Sequence, residues 1–144
     1  MGANLSPEDR LEVFGADDPD QYADEAVQRW GDTDAYRTAA GRTSSYDRQD
    51  WLELQREGDE VEQQLADLLA AGNPADGDAA MAAAEAHRQH ITRWFYDCSP
   101  QVHVGLAQMY VADSRFTAHF ERRAPGLARY VHDAIVANAA AAKD

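Results

Sequence analysis

The chain has 144 residues, 44% hydrophobic and 27% charged, enough for one domain with a buried core. Its formal charge of −13 argues against nucleic acid or an anionic membrane as a direct partner. No run approaches the roughly 20 apolar residues that span a bilayer, and the start, "MGANLSPEDR", lacks the basic and apolar regions of a secretory signal.

In chain order, helix punctuation recurs and no strand pattern persists. Ser6-Pro7 reads as an N-cap with a first-turn proline, and Gly15 ends that short helix. Asp18-Pro19 repeats the signal up to Gly31, with Tyr22, Ala26 and Trp30 on one face. "DTDAYRTAAGRTSSY" is polar and turn-prone, and predicts a linker with a short helical piece. A long helix begins near Asp47. Its stripe is Trp51, Leu54, Gly58, Val61, Leu65 and Leu68, a coiled-coil-like seam broken only by Gly58. Gly72 and Pro74 stop it.

Asp78 caps the next helix, whose face is Ala80, Ala84, His87, Ile91, Trp94 and Phe95. After a break at Asp97 to Pro100, the spacing gives Val102, Leu106, Met109 and Tyr110 as the face of the following helix. Asp113 caps a shorter one carrying Phe116 and Phe120. Pro125 starts the last, with Leu127, Tyr130, Val131, Ala134 and Ile135. The expected fold is all-α: a long antiparallel pair, then three or four shorter helices, with gaps between non-parallel helices where a small ligand fits.

The charge is uneven. Residues 1–72 hold 18 acids and 6 bases, and residues 73–144 hold 8 acids and 7 bases. This predicts a single domain, 1–144, made of an acidic lid and long helix (1–72), marginally ordered without something to pack against, and a compact core (73–144).

The only cysteine, Cys98, stands just before the Ser99-Pro100 helix start. A single thiol forms no internal disulfide, so a reducing cytoplasm is expected. Free N–H groups of a first turn favour a nearby thiolate, which lowers the thiol pKa; Asp97 opposes this, and His90 or His103 helps if folded back. Three readings stay open. A lone cysteine is most often a small buried hydrophobe. It is also a reactive thiol among aromatics, or a metal ligand with His87, His90 and His103. The metal reading lacks any CxxC or HExxH spacing, so no metal or cofactor is expected. His87 alone on an apolar face is more often a hydrogen-bonded core residue. GxSxG, P-loop and GxGxxG signatures are absent, and an enzyme is not expected.

The segments "MGANLSPEDRLEVFG", "DPDQYADEAVQRWGDTDAYR", "SYDRQDW", "AMAAAEAHRQHI", "YDC", "MYVADSRFT" and "PGLARYVHDAIVAN" together resemble the TipA-S family, the effector-binding domain of thiostrepton-induced TipA regulators. The resemblance implies a globin-like, haem-free, all-α antibiotic-binding domain with a flexible N-terminal helical lid. It implies binding of thiopeptide antibiotics and addition of the "YDC" cysteine, Cys98 here, to a dehydroalanine of the drug. His87, Trp94, Tyr96, His103, Met109, Tyr110 and Phe116 are the candidate ligand-binding residues, with Trp30 and Tyr36 as lid anchors. Family regulators carry a MerR-type DNA-binding region and a coiled coil ahead of this domain; this chain starts where the family's short form starts, so a monomer without direct DNA contact is expected. Ser99-Pro100 departs from the commoner family pattern. The alternatives are reversible multidrug binding, of the albicidin type or another, and a metal- or redox-sensing helical domain.

Overall fold

The computed structural model describes residues 33–142, and within them the secondary structure is helical throughout. The helices are α1 (Asp34–Thr43), α2 (Arg48–Ala70), α3 (Asp78–Trp94), α4 (Pro100–Ala112), α5 (Ser114–Glu121) and α6 (Leu127–Ala142). The two helices predicted before Gly31, and Trp30 with them, lie outside the described residues.

The starts follow local chemistry. Thr33 caps α1, its hydroxyl accepting from the Tyr36 amide at 3.1 Å. The segment expected to be mostly linker is therefore a ten-residue helix, because Thr33-Asp34 supplies both a cap and a first-turn acid. Asp47 and Asp50 hold each other's backbone amides at 2.9 and 3.1 Å at the start of α2. Gly72, at φ +80°, lets the chain leave α2 in the left-handed region. Ser99 caps α4 through the Val102 amide at 3.2 Å, with Pro100 in the first turn.

Pro125 does not begin α6. Gly126 turns at φ +84°, and Glu121 reaches across to accept from the amides of Gly126 (2.9 Å) and Ala128 (3.0 Å). A carboxylate thus fills the role that an adjacent cap residue would, and those amides lower its pKa.

The chain divides into two compact units, Met1–Glu57 with Ile91–Asp97, and Gly58–His90 with Cys98–Asp144. This differs from the division expected at residue 72: α2 from Gly58 onward belongs with the later helices, and the end of α3 belongs with the earlier ones.

The first unit is built on Trp51, Leu54 and Trp94, with Tyr46, Leu52 and Phe95 packed against them. Tyr46 meets Trp51 and Trp94 edge-on, each at 5.6 Å between centroids. Its hydroxyl donates to the Trp94 carbonyl. Glu57 accepts from the Trp94 indole at 3.1 Å and from Arg93 at 2.6 Å. Arg42 donates to the Thr92 carbonyl at 2.7 Å, which ties α1 to the end of α3.

The second unit holds the larger core. Leu65, Leu127, Val131 and Ile135 are fully buried, among Ala80, Ala83, Ala84, Ala107, Ala134 and Phe120. Each large side chain removed from water contributes about 1.5–3 kcal/mol, so these residues hold the unit together. The alanines of α3 allow close approach, and α4 packs along α6 with α5 against both. The face of α4 is not the one predicted. His103, Ala107 and Tyr110 are buried, Leu106 and Met109 are partly covered, and Val102 is 41% exposed.

Candidate functional site

Cys98 is one of the most deeply buried side chains, 1% exposed. It stands one position before the Ser99 cap, and its Sγ lies 3.8 Å from the Ser99 carbonyl oxygen, to which it donates. The thiol is not activated by the helix start. Burial pushes it up to about 11, Arg88 pulls it down, and Glu85 pushes it up further. The predicted lowering by free first-turn amides is outweighed, because the sulfur is withdrawn from water and the Ser99 hydroxyl already takes the Val102 amide.

The polar frame around this residue comes from α3. Arg88 donates through Nη1 to the Cys98 carbonyl at 2.8 Å. Its Nε and Nη2 grip both oxygens of Glu85, at 2.9 and 2.5 Å. Glu85 also accepts from Gln89 at 2.8 Å and from Asn138 of α6 at 3.1 Å. The hydrogen bond from Arg88, outweighing partial burial, holds the Glu85 carboxyl down to about 2. Neither Arg88 nor Glu85 was among the predicted site residues. Their i, i+3 spacing is a readable ion-pair signal, but nothing in the sequence alone ties that pair to a cysteine ten residues on.

Beside this frame lies a pair of histidines. His87 Nδ1 and His103 Nε2 are 2.8 Å apart, with the rings stacked at 5.1 Å and buried at 8% and 1% exposure. One shared N–H satisfies both nitrogens, and burial keeps both rings neutral. Burial lowers His87 to about 3, helped by His103 and opposed by Glu62; burial and Arg88 lower His103 to about 4. Tyr110 stands edge-on to His87 at 6.1 Å and leans on Phe116 (5.9 Å) and Phe120 (5.0 Å). The structure thus brings His87, His103, Tyr110 and Phe116 together, in the unit that holds Cys98 and the partly covered Met109. Trp94, Tyr96 and Tyr36 fall in the other unit: Trp94 is buried against Trp51 and Tyr46, while Tyr96 and Tyr36 are half-buried.

His87 and His103, two of the four residues of the metal reading, turn a ring nitrogen on each other. The two facing nitrogens of His87 and His103 already satisfy each other, and among the described residues no three His, Cys, Asp or Glu side chains are grouped to hold an ion. Two surface hollows lie elsewhere among the described residues. One of about 380 Å³ runs along α2 beside Glu60, Gln63 and Leu68, and one of about 220 Å³ is lined by Val111, Thr117, Glu121 and Gly126. Neither is lined by a predicted ligand residue. Among the described residues no helix is long and apolar enough to cross a membrane.

The comparisons with known proteins agree with one another. The TipAS antibiotic-recognition domain model matches residues 22–138. The transcriptional activator TipA of Streptomyces coelicolor is 52% identical over 139 residues, which cover 96% of this chain and 55% of TipA. The chain therefore spans about half the length of the curated relatives it matches. Among solved structures, TipAS of Streptomyces lividans in complex with nosiheptide aligns with a TM-score of 0.91 at 50% identity, covering 99% of this chain and 100% of that one. The antibiotic-binding domain of a TipA-class multidrug resistance regulator aligns at 0.60 and 47% identity, over 65% of this chain and all of that one. The all-helical, globin-like expectation is borne out by the first of these matches. With a family model covering most of its length and relatives above half identity, this chain belongs to the TipAS antibiotic-recognition domain family.

Proposed function

We propose that this chain is a binding and sequestering domain for thiopeptide antibiotics, and that Cys98 captures those bearing a dehydroalanine as a thioether. The observation that carries the reading is the full-length match, at half identity, to TipAS solved with nosiheptide. In the unit that holds Cys98, the ligand's azole and pyridine rings stack on the aromatic group around Tyr110 and Phe116, with Met109 as a further wall. The 1–144 chain acts as one cytoplasmic, monomeric effector domain. In a longer regulator the same binding event serves promoter control.

The capture is a conjugate addition. Sγ gives up its proton to solvent, the thiolate bonds to the terminal CH₂, and the π pair moves to the α-carbon, which takes a proton from water. The net change is S–H added across C=C, without turnover, so the chain is not an enzyme. A thiol pushed up to about 11 is almost wholly protonated at neutral pH. Addition therefore follows binding, once the ligand has drawn Cys98 out of its buried setting.

That same raised thiol favours a second reading, reversible recognition of several drugs without a covalent bond. Intact mass after mixing with thiostrepton, on the native chain and on Cys98→Ala, separates the two. An adduct of one antibiotic on the native chain alone supports capture. Micromolar or tighter binding by calorimetry on both chains with no adduct supports the reversible reading. No binding to either overturns the thiopeptide assignment.

A further inference from the structure

We propose that Arg88 is a positioning residue for the capture step: clamped by Glu85, its guanidinium anchors the Cys98 backbone and is the cation set against the thiolate that addition requires. This rests on the thioether reading above.

The geometry is that of a preset fork. Three of the five Arg88 N–H groups are spent in fixed directions, two on Glu85 and one on the Cys98 carbonyl. The Arg88 side chain is only 20% exposed, so it is held in place and not sweeping through solvent. Glu85 is itself anchored by Gln89 and by Asn138 of α6, so the clamp is tied to two helices. The carbonyl it holds belongs to the residue just ahead of the α4 cap, which fixes where the thiol enters the unit.

The charges facing the sulfur are of opposite sign. Arg88 favours the thiolate and Glu85 disfavours it, while burial outweighs both. The effect is mutual, since the sulfur also raises Arg88. From α4, His103 feels the same two charges and stays neutral; from α6, the neutral amide of Asn138 donates to Glu85 and adds no charge. At rest Glu85 shares the guanidinium, and the thiol keeps its proton. Loosening the Glu85 contact leaves more of that cation to the sulfur. The addition needs no oxidant or reductant: one proton leaves Sγ, one S–C bond replaces one π bond, and water returns a proton to carbon.

The chain has one cysteine, so selective ¹³Cβ labelling gives a single resonance whose pH midpoint reads Cys98 in the folded state. Native protein, Arg88→Met, Arg88→Lys and Glu85→Gln are titrated, with circular dichroism confirming the fold. Arg88→Met moves the midpoint up by about 0.5–1 pH unit, Glu85→Gln moves it down by a similar amount, and Arg88→Lys stays near native. In the same order, thiostrepton adduct formation at pH 8 slows about threefold to tenfold, quickens, and is little changed. A merely structural clamp would move both midpoints the same way, or neither, and either result in folded variants overturns the proposal. If Arg88→Met does not fold, Glu85→Gln and Arg88→Lys still decide it. A native chain that gives no adduct sinks the thioether reading, while the resonance still reports whether Arg88 governs the thiol.

Discussion

Acid should destabilise this fold in a way that two named rings account for. His87 and His103 are neutral in the core, lowered to about 3 and about 4, whereas unfolded histidines titrate near 6.5. Their contribution is thus fully present above pH 6.5 and is lost as pH falls towards the folded values. Between those limits each ring loses about 1.4 kcal/mol of stability per pH unit, or about 4 kcal/mol for both between pH 6.5 and 5. Glu85, held at about 2, stays charged over this range and does not contribute. His119 works in the opposite direction. Its hydrogen bond to Glu62 raises it, so its contribution is present below pH 6.5 and is lost as pH rises through its folded value. With its side chain 48% exposed, that contribution is screened. The assay is urea unfolding followed by far-ultraviolet circular dichroism at pH 7 and pH 5, on the native chain and on a His87→Phe/His103→Leu variant. Replacing both partners by apolar side chains avoids leaving one polar atom alone. The native chain should lose about 3–4 kcal/mol more than the variant on acidification, since His119 and the carboxylates cancel in the comparison. Equal losses in the two proteins would refute the neutral buried pair.

Three further outcomes test the packing. Leu65→Ala, at a site with no exposure, should cost about 3 kcal/mol in urea unfolding. Gly58→Ala would put a Cβ 3.1 Å from His90 Nε2, so the gain of about 1 kcal/mol usual for alanine in a helix should be missing, and thermal unfolding should show no stabilisation. Ser99→Ala removes the cap on α4 and should cost about 1 kcal/mol, read by the same unfolding experiment.

Helix boundaries were the most legible part of the sequence, because caps and terminators act through neighbouring residues. Ser99-Pro100, Asp113 and Gly72 mark what they were expected to mark, whereas Asp78, expected as the cap of α3, is instead its first residue and a first-turn acid. The face of α6 was legible too, since Leu127, Tyr130, Val131, Ala134 and Ile135 are all buried. What the pattern could not carry was partnership. The α2 stripe reads as one seam, yet Trp51 and Leu54 belong to one cluster and Val61 and Leu65 to another, with Gly58 where the stripe was already interrupted. Periodicity reports that a face is covered and not by what. At the site, the modest readings of His87 as a hydrogen-bonded core residue and of Cys98 as a buried thiol describe the structure well. The Arg88 clamp and the His87–His103 bond join residues 10 and 16 positions apart, beyond the reach of local pattern.

The histidine pair also bears on why α4 sits as it does. Apolar residues occur on every side of that helix, so hydrophobic burial alone leaves its rotation poorly determined. Turning it to present Val102 and Leu106 would bury comparable apolar surface. It would also carry His103 away from His87 and leave a desolvated ring nitrogen on α3 unanswered, a penalty of about 1–3 kcal/mol. Two polar groups that add little to total stability thus discriminate between orientations that oil-like packing would treat as nearly equal. A change at either histidine is then tolerated only when its partner changes with it. Loss of one ring alone should blur the orientation of the helix that follows Cys98 before it unfolds the protein.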